Sequence, residues 1–496
     1  MLERSFYDKM PNLSITDLRQ MLDKGEITCE ELVLSFLERI SRYDKTGMKL
    51  NAVRELNPDA LEQARCCDNI LQKGRMIGPL HGIPILLKDC IDTKDRTHTT
   101  CGAVVMENHY ANKDAFIVKK LRKAGAIILG KANMSEWYGF CSTKAPSGYS
   151  AIAGGSMLNP YGPNTLKPGG SSGGCAVAVS AGFSAAAIGT ETSGSIIEPS
   201  YFCSVVGFKP TVGLISRSGI LPVMTSQDSP GPITKNVTDA AVIMSVIASR
   251  DKSDVATWRA CEIDTSYFVS KINGGSLKGK RIGITRDGYY DDLSEMEKIV
   301  FDRAIDILRD GGAVIIDNVP DFLPGQIKKY PEKYSMKLTS TIMCHAFKVR
   351  FNHYLANIGS DVPVHSLKEL IEWNISHPWA IPLGQDYLEE IEAIKNPLTG
   401  PEFFEAVKND RYICGEKGIT GALTKHSLDA IIMPGVSGQG IAPRTGNPII
   451  TIPAGYTENG VPVGINLVGH FMGDIDLLCL ARSCEKVLPE RIPPKI

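Results

Sequence analysis

The sequence of 496 residues lacks the features that mark three broad classes of protein. It has no Cys-x-x-Cys pair, and its thirteen cysteines are odd in number and scattered, so neither a disulfide framework nor a zinc site is predicted. It has no excess of positive charge, because 54 Lys and Arg residues stand against 55 Asp and Glu residues, and no nucleic-acid partner is expected. The nine histidines show no metal-ligand spacing, so no metal is expected.

Long apolar runs are missing as well. The first residues, Met1 to Lys9, are charged throughout and contain no apolar segment of the kind found in secretory signals. The most apolar stretch, 176–188, is rich in Ala and Gly and too short to cross a bilayer. We therefore expect a cytoplasmic protein with reduced cysteines and no membrane partner.

The chain pattern is typical of an α/β protein. Thr28-Cys-Glu-Glu31 is a capping box that predicts a helix, and Asn57-Pro58 predicts the start of a second helix through about Leu71. A helical pattern follows at 115–123. Apolar runs flanked by turn residues predict strands at 83–87, 127–130, 185–189, 205–208, 281–285, 313–316, 430–433, 449–452 and 461–468.

No repeat or low-complexity linker divides the chain, so we expect one domain over 1–496. Its parts would be an N-terminal helical segment at about 12–75, a core at about 76–250 and a largely helical insertion at about 324–425. The insertion carries no motif that predicts a function.

Two glycine-rich turns that carry serines are the most informative feature. The first is Lys167-Pro-Gly-Gly-Ser-Ser-Gly-Gly-Cys175, and the second is Gly189-Thr-Glu-Thr-Ser-Gly-Ser-Ile196. A short run of small apolar residues between them fits a buried helix and strand. Such turns present a hydroxyl together with bare backbone N–H groups, which acyl transfer requires as nucleophile and oxyanion donors.

The order of the motifs resembles the amidase signature family. In that family a Gly-Gly-Ser-Ser-Gly-Gly loop is followed by Gly-Thr-Asp-Thr-Gly-Gly-Ser-Ile and by Gly-x-Lys-Pro-Thr, here Gly207-Phe-Lys-Pro-Thr211. The family's lysine motif is matched upstream by His81-Gly-Ile-Pro-Ile-Leu-Leu-Lys-Asp89. The resemblance implies the amidase signature fold, a large mixed central β-sheet covered by helices on both faces.

The resemblance also implies a catalytic triad. The nucleophile falls on Ser195, a second serine in a cis peptide on Ser171, and the base on Lys88. The backbone N–H groups of Thr192, Ser193, Gly194 and Ser195 are the implied oxyanion hole.

Lys88 can take a proton only as a neutral amine, and the apolar run before it favours burial and a lowered pKa. Without the family, a buried lysine beside Asp89 is more often one half of a structural ion pair.

Two interpretations based on single motifs compete with this one. Gly169-Gly-Ser-Ser-Gly173 fits the nucleophile elbow of α/β-hydrolases, which would make Ser171 the nucleophile, but the preceding 164–168 is a poor strand. Segments 125–131 and 274–280 approximate a P-loop, but both lack the final Ser or Thr.

One departure from the family concerns the substrate. Many members have an arginine after the Ser-Ile of the nucleophile motif, whereas this chain has Ile197 followed by Glu198. Isoleucine cannot pair with a substrate carboxylate, so neutral amides are expected. The Thr-Glu-Thr form of the motif and Ser226-Gln-Asp228 look more like the peptide amidase branch. Predicted pocket residues are Ile197, Glu198, Gln227 and Asp228.

The sequence therefore predicts a cofactor-independent amidase that works through an acyl-enzyme on peptide amides, aryl amides or carbamates, as a monomer or homodimer. An amidotransferase component that works within a complex is one alternative, against which the missing arginine counts. A catalytically silent binding protein on the same fold is another, against which the intact Lys88, Ser171 and Ser195 count.

Overall fold

The computed structural model describes residues 4–286, 288–317, 319, 336–436 and 438–496. Within these residues the strands are β1 (Val53–Leu56), β2 (Pro84–Lys88), β3 (Ile127–Ala132), β4 (Tyr149–Ser150), β5 (Gly155–Ser156), β6 (Ala186–Glu191), β7 (Val206–Lys209), β8 (Ser229–Thr234), β9 (Arg281–Ile284), β10 (Val314–Ile316), β11 (Ala430–Met433), β12 (Ile449–Tyr456) and β13 (Pro462–Val468). Strands β4 and β5 form a separate small hairpin.

The other eleven strands form one mixed sheet in the order β1-β3-β2-β6-β8-β7-β12-β13-β11-β9-β10. Strands β3, β2 and β6 are mutually parallel, as are β11, β9 and β10. The remaining neighbours, including β6 with β8 and β12 with β13, are antiparallel. The predicted large mixed sheet is thereby confirmed.

Helices pack against this sheet and complete the α/β architecture. In the described residues the α-helices are α1 (Arg4–Lys9), α2 (Ile15–Asp23), α3 (Cys29–Ile40), α4 (Ala60–Gln72), α5 (Phe116–Lys123), α6 (Gly173–Ser180), α7 (Ile197–Phe202), α8 (Val237–Ile247), α9 (Tyr267–Ser270), α10 (Glu295–Asp310), α11 (Met336–Ala356), α12 (Leu367–Ser376), α13 (Asp386–Glu392), α14 (Pro401–Asp410), α15 (Ile419–Lys425), α16 (Ile441–Thr445) and α17 (Asp474–Glu485). No helix among these residues is long and apolar enough to cross a membrane.

The predicted helix starts were right at α3 and two residues early at α4. Thr28 Oγ1 accepts a hydrogen bond from Glu31 N–H at 3.0 Å, and the Glu31 carboxylate accepts from Thr28 N–H, so the capping box is confirmed. At α4 the Asn57 side chain accepts from Asp59 N–H at 3.0 Å. Residues 57–59 form this turn, so the helix begins at Ala60.

Strand β8 was not predicted, because its sequence Ser-Pro-Gly-Pro-Ile-Thr contains two prolines. The structure nevertheless places it inside the sheet, between β6 and β7. Strand β7 pairs with Ile233 and Thr234 of β8, so Pro230 and Pro232 lie outside that ladder.

The predicted helical insertion at 324–425 is helical from α11 to α15, whereas residues 320–335 lie outside the described residues. The single domain over 1–496 stays a prediction.

The sheet brings the two glycine-rich turns to one edge. Parallel strands β2 and β6 are neighbours, so their carboxyl ends meet there. Helix α6, whose eight residues are all buried, runs between the two turns and packs on β6. The first turn precedes α6 and the second follows β6, as the sequence between them predicted.

Candidate active site

Lys88 is the last residue of β2, and its amine lies within reach of Ser171 and Thr190. Lys88 Nζ is 2.7 Å from Ser171 Oγ, 3.0 Å from Thr190 Oγ1 and 3.2 Å from the Thr190 carbonyl oxygen. All three partners are hydroxyl or carbonyl oxygens. The amine is therefore bound by neutral groups, none of which adds a full negative charge that would favour the ammonium form.

The ion-pair interpretation of Lys88 is wrong, because Asp89 is held elsewhere. Its carboxylate pairs with Arg54, with Nε 3.1 Å from Oδ2, and accepts a hydrogen bond from the hydroxyl of Thr100. Lys88 itself is completely buried. Burial lowers the pKa of its amine, because removing water penalises the charged form.

The other titratable groups around Lys88 are the thiols of Cys90, Cys101 and Cys175, the phenol of Tyr138 and the carboxyl of Glu191. Burial raises the pKa of each of the three thiols, that of Cys175 to about 12, so they stay neutral near pH 7. Burial also raises the pKa of the Glu191 carboxyl. The three thiols therefore supply no negative charge that would favour the ammonium form of Lys88.

Ser171 follows a cis peptide bond between Gly170 and Ser171. Its carbonyl accepts a hydrogen bond from Ser135 N–H at 3.1 Å, and it is only 2% exposed. Gly169 has a φ of +72°, and a Cβ there would lie 2.7 Å from the Cα of Pro199. The first glycine-rich turn is therefore packed against the start of α7, which follows directly on the second turn.

Ser195 is partly exposed and lies in the loop between β6 and α7. Its carbonyl accepts a hydrogen bond from Ser172 N–H at 3.1 Å, which joins the two serine turns directly. Access to solvent thus rises from Lys88 through Ser171 to Ser195. Of the three predicted catalytic residues, Ser195 is therefore the most accessible to a substrate.

Three backbone N–H groups of the loop at 192–195 have no acceptor among the described residues. Within the described part of the chain, no acceptor takes a hydrogen bond from the N–H groups of Thr192, Ser193 or Ser195. Gly194 adopts a φ of +88°, and a Cβ there would lie 2.5 Å from the side chain of Gln439. Donors without a protein partner, on a loop shaped by glycine, are what an oxyanion hole needs.

Glu191 and Asp228 fix this loop at its two ends. Glu191 Oε2 accepts hydrogen bonds from Ile196 and Ile197 N–H at 2.7 and 2.9 Å. Asp228 Oδ1 accepts from the hydroxyl of Thr192 at 2.6 Å. Burial raises the pKa of Asp228 to about 6, and the hydrogen bonds it accepts work against that shift.

The four predicted pocket residues have separate locations. Asp228 anchors the loop, and Glu198 Oε2 accepts a hydrogen bond from Gly170 N–H at 3.2 Å. Gln227 is 3% exposed. Ile197 is fully buried in a hydrophobic cluster with residues that include Tyr289 and Val468.

Comparison with known proteins identifies the family. A sequence profile described as "Amidase" matches residues 31–478. The chain belongs to the amidase family. It is 35% identical to a probable amidase of Arabidopsis thaliana, over 97% of this chain and 91% of that one.

Among solved structures, peptide amidase from Stenotrophomonas maltophilia superposes with a TM-score of 0.88 at 35% identity, covering 98% of both chains. The A-type component of glutamyl-tRNA(Gln) amidotransferase from Thermotoga maritima has a TM-score of 0.72 at 27% identity, also covering 98% of both chains. As a member of this family, the protein is a hydrolase of carbon–nitrogen bonds in amides. The peptide amidase structure is the more similar of these two.

Three residues around this candidate site were not predicted from the sequence. Thr190 and Glu191 stand inside the second serine motif, and their position next to the predicted loop was the available signal. Gln439 comes from a distant loop before α16. Nothing in the local sequence around it indicates contact with Gly194.

Proposed function

We propose that this amidase hydrolyses neutral amides through an acyl-enzyme on Ser195, with Ser171 and Lys88 moving the proton. The observation that carries the proposal is the 2.7 Å contact of Lys88 Nζ with Ser171 Oγ, where the amine has no anionic hydrogen-bond partner among the described residues. A neutral amine there is a general base, and a protonated one is a general acid.

In the acylation half, Ser195 Oγ attacks the carbonyl carbon of the amide. Its proton passes to Ser171 Oγ while the Ser171 proton passes to Lys88 Nζ. The N–H groups of Thr192, Ser193 and Ser195 stabilise the oxyanion. The carbon–nitrogen bond then breaks, and the leaving nitrogen takes a proton from Ser171, which is replaced from the Lys88 ammonium.

In the deacylation half, water attacks the ester on Ser195 and gives its proton to the same relay. Collapse of the second oxyanion breaks the bond to Ser195 Oγ, which recovers a proton from Ser171. The sum is one amide and one water converted into one carboxylic acid and one amine. Lys88 and Ser171 end as they began, and no cofactor is needed.

The substrate class proposed is neutral amides, such as C-terminal amides of peptides, aryl amides or carbamates. The likeness to a peptide amidase supports the first of these. Glu198, three residues from the nucleophile, adds an acidic group that disfavours a substrate carboxylate. We further propose that the chain acts in the cytoplasm, as a monomer or homodimer, without nucleic acid.

The test is covalent labelling of the purified chain together with turnover. A fluorophosphonate should label the wild type once, on the peptide that contains Ser195, and the chain alone should release ammonia from an N-acylated dipeptide amide. Ser195→Ala should abolish labelling and lower turnover by roughly four decades. Ser193→Ala, which removes a hydroxyl of the same loop but keeps its N–H, should still be labelled.

Label on Ser171 would support the nucleophile-elbow interpretation and overturn the proposal. Turnover that needs an added protein would favour an amidotransferase component, and a chain that is neither labelled nor active on any neutral amide would favour the silent binding protein.

A further inference from the structure

Thr190 contacts the Lys88 amine through two oxygens at once, its hydroxyl and its carbonyl. We propose that Thr190 is a positioning residue that aims the lone pair of Lys88 at Ser171 and keeps the proton transfer on the single axis between Nζ and Ser171 Oγ. This inference rests on the proposed function and assigns a new residue to it.

The count of hydrogens and lone pairs favours this arrangement when Lys88 is neutral. A neutral amine has two N–H bonds and one lone pair. The Thr190 carbonyl can only accept, so it takes one N–H, and the Thr190 hydroxyl oxygen at 3.0 Å takes the other. The lone pair of Nζ then points toward the remaining partner, Ser171 Oγ. At 2.7 Å this is the shortest of the three contacts of Nζ.

The same contacts serve the ammonium form. Three N–H bonds then point to the same three oxygens. The only difference is that the proton between Nζ and Ser171 Oγ is now bonded to Nζ. No other hydrogen bond at Nζ is made or broken. Thr190 therefore lets the relay run in both directions without rotation of the lysine side chain, which lowers the reorganisation that each transfer requires.

The backbone of Thr190 points away from β8. Its N–H and its carbonyl both bond to Ser172, and the carbonyl also accepts from Lys88. Thr190 therefore stands opposite Pro230 of β8 as a pair without backbone hydrogen bonds. On the other side the pairing with β2 ends at Ile188, so the Thr190 carbonyl lies just beyond that ladder and faces Lys88.

Ser172 and Cys90 hold Thr190 in place. Ser172 Oγ accepts a hydrogen bond from Thr190 N–H at 3.2 Å and donates to its carbonyl at 3.1 Å. Cys90 Sγ lies 3.8 Å from Thr190 Oγ1 and is a weak acceptor for its hydroxyl hydrogen. With that hydrogen turned to sulfur, the hydroxyl oxygen has its lone pairs available for Lys88.

The test compares Thr190→Val with Thr190→Ser. Valine has the shape of threonine but no acceptor, while serine keeps the hydroxyl. The second-order rate of labelling of Ser195 by a fluorophosphonate is measured against pH, with ammonia release from the dipeptide amide as the turnover assay. T190V should slow labelling and lower kcat by roughly 10- to 100-fold with little change in KM, because one hydrogen bond to a charged group is lost.

The pH profile separates positioning from packing. Loss of an acceptor harms the ammonium more than the amine, so the acidic limb of the T190V profile should move to lower pH while its plateau falls. T190S should restore both the limb and most of the plateau. A purely structural role would lower the melting temperature without moving the limb. If T190V does not fold, T190A takes its place in the comparison with T190S.

The inference is overturned if T190V is labelled at the wild-type rate, if its limb does not move, or if T190S is as slow as T190V. Lys88→Ala tells this failure apart from failure of the proposed function. If K88A is labelled slowly while T190V is labelled at the wild-type rate, the role of Thr190 is refuted and the relay stands. If K88A is fully active, the relay itself is refuted.

Discussion

The hydroxyl of Thr192 donates a hydrogen bond to Asp228 Oδ1 at 2.6 Å, across 36 residues of sequence. The other carboxylate oxygen of Asp228 accepts from Val223 and Met224 N–H at 2.9 and 2.7 Å. One side chain therefore ties the loop after β6 to the segment before β8. The geometry of the backbone donors near Ser195 depends on this tether.

Removing the tether should lower activity. Asp228→Ala leaves two buried N–H groups and the Thr192 hydroxyl without their acceptor, and we expect kcat to fall by roughly tenfold or more. Thr192→Val removes only the bond to the loop and should give a smaller loss in kcat. The double variant should be little worse than D228A, because the two changes remove one shared interaction. Additive losses in kcat would contradict this account.

Activity should rise with pH through the lowered pKa of Lys88. The base works only when neutral, so kcat/KM should increase as pH rises and reach its plateau below the ordinary lysine pKa of about 10.4. Lys88→Ala should lose the plateau and regain rate only as hydroxide accumulates. Lys88→Arg keeps a cation that cannot act as base and should be equally impaired. An active K88R would refute the general-base role.

Glu198 should affect both the first glycine-rich turn, through Gly170, and the choice of substrate. Wild type should prefer a neutral amide over its carboxylate-bearing counterpart by roughly tenfold or more in kcat/KM. Burial raises the pKa of Glu198. The preference for the neutral amide should therefore grow with pH as the Glu198 carboxyl loses its proton and becomes charged.

Glu198→Gln keeps an acceptor for Gly170 N–H but removes the charge, so it should narrow the preference with little loss of kcat. Glu198→Ala should lower kcat as well. Equal kcat/KM values for the two substrates in the wild type would show that Glu198 does not face the substrate.

Gly194 should tolerate no side chain. Its φ of +88° disfavours any L-residue, and a Cβ would lie within 2.5 Å of Gln439. Gly194→Ala should therefore displace the oxyanion donors and cost roughly 100-fold in kcat, in the range seen when one donor is lost. Adding Gln439→Ala should relieve the contact but not the backbone conformation, so recovery should be partial. Full recovery would mean that only the contact with Gln439 matters.

Ile197→Arg should destabilise the protein and should not create a carboxylate site. The isoleucine is fully buried among apolar residues, and a guanidinium there would have to give up its water without a partner. We expect a clear drop in melting temperature. Leucine is close to isoleucine in volume, so Ile197→Leu should lower the melting temperature by much less. A stable I197R that prefers acidic amides would contradict the observed packing.

The local sequence was enough to predict much of the fold. The runs at 83–87 and 127–130 became β2 and β3, and the Thr28–Glu31 capping box started α3 where expected. These elements follow from continuous apolar runs, capping and turn chemistry within a few residues, which a sequence displays directly. Strand β8 was not predicted because prolines normally exclude a central strand. Here its prolines occupy positions where the sheet needs no N–H donor.

The sequence by itself determined the family, and it predicted Lys88, Ser171 and Ser195 as site residues, because those residues sit in contiguous motifs. Only the tertiary structure decided what each side chain touches. It paired Asp89 with Arg54, so that the hydrogen-bond partners of Lys88 are neutral, and it buried Ile197 in a hydrophobic cluster. It also brought Asp228 to Thr192 and Gln439 to Gly194. Such contacts join segments far apart in the chain, and they exist only because the sheet order places those segments side by side.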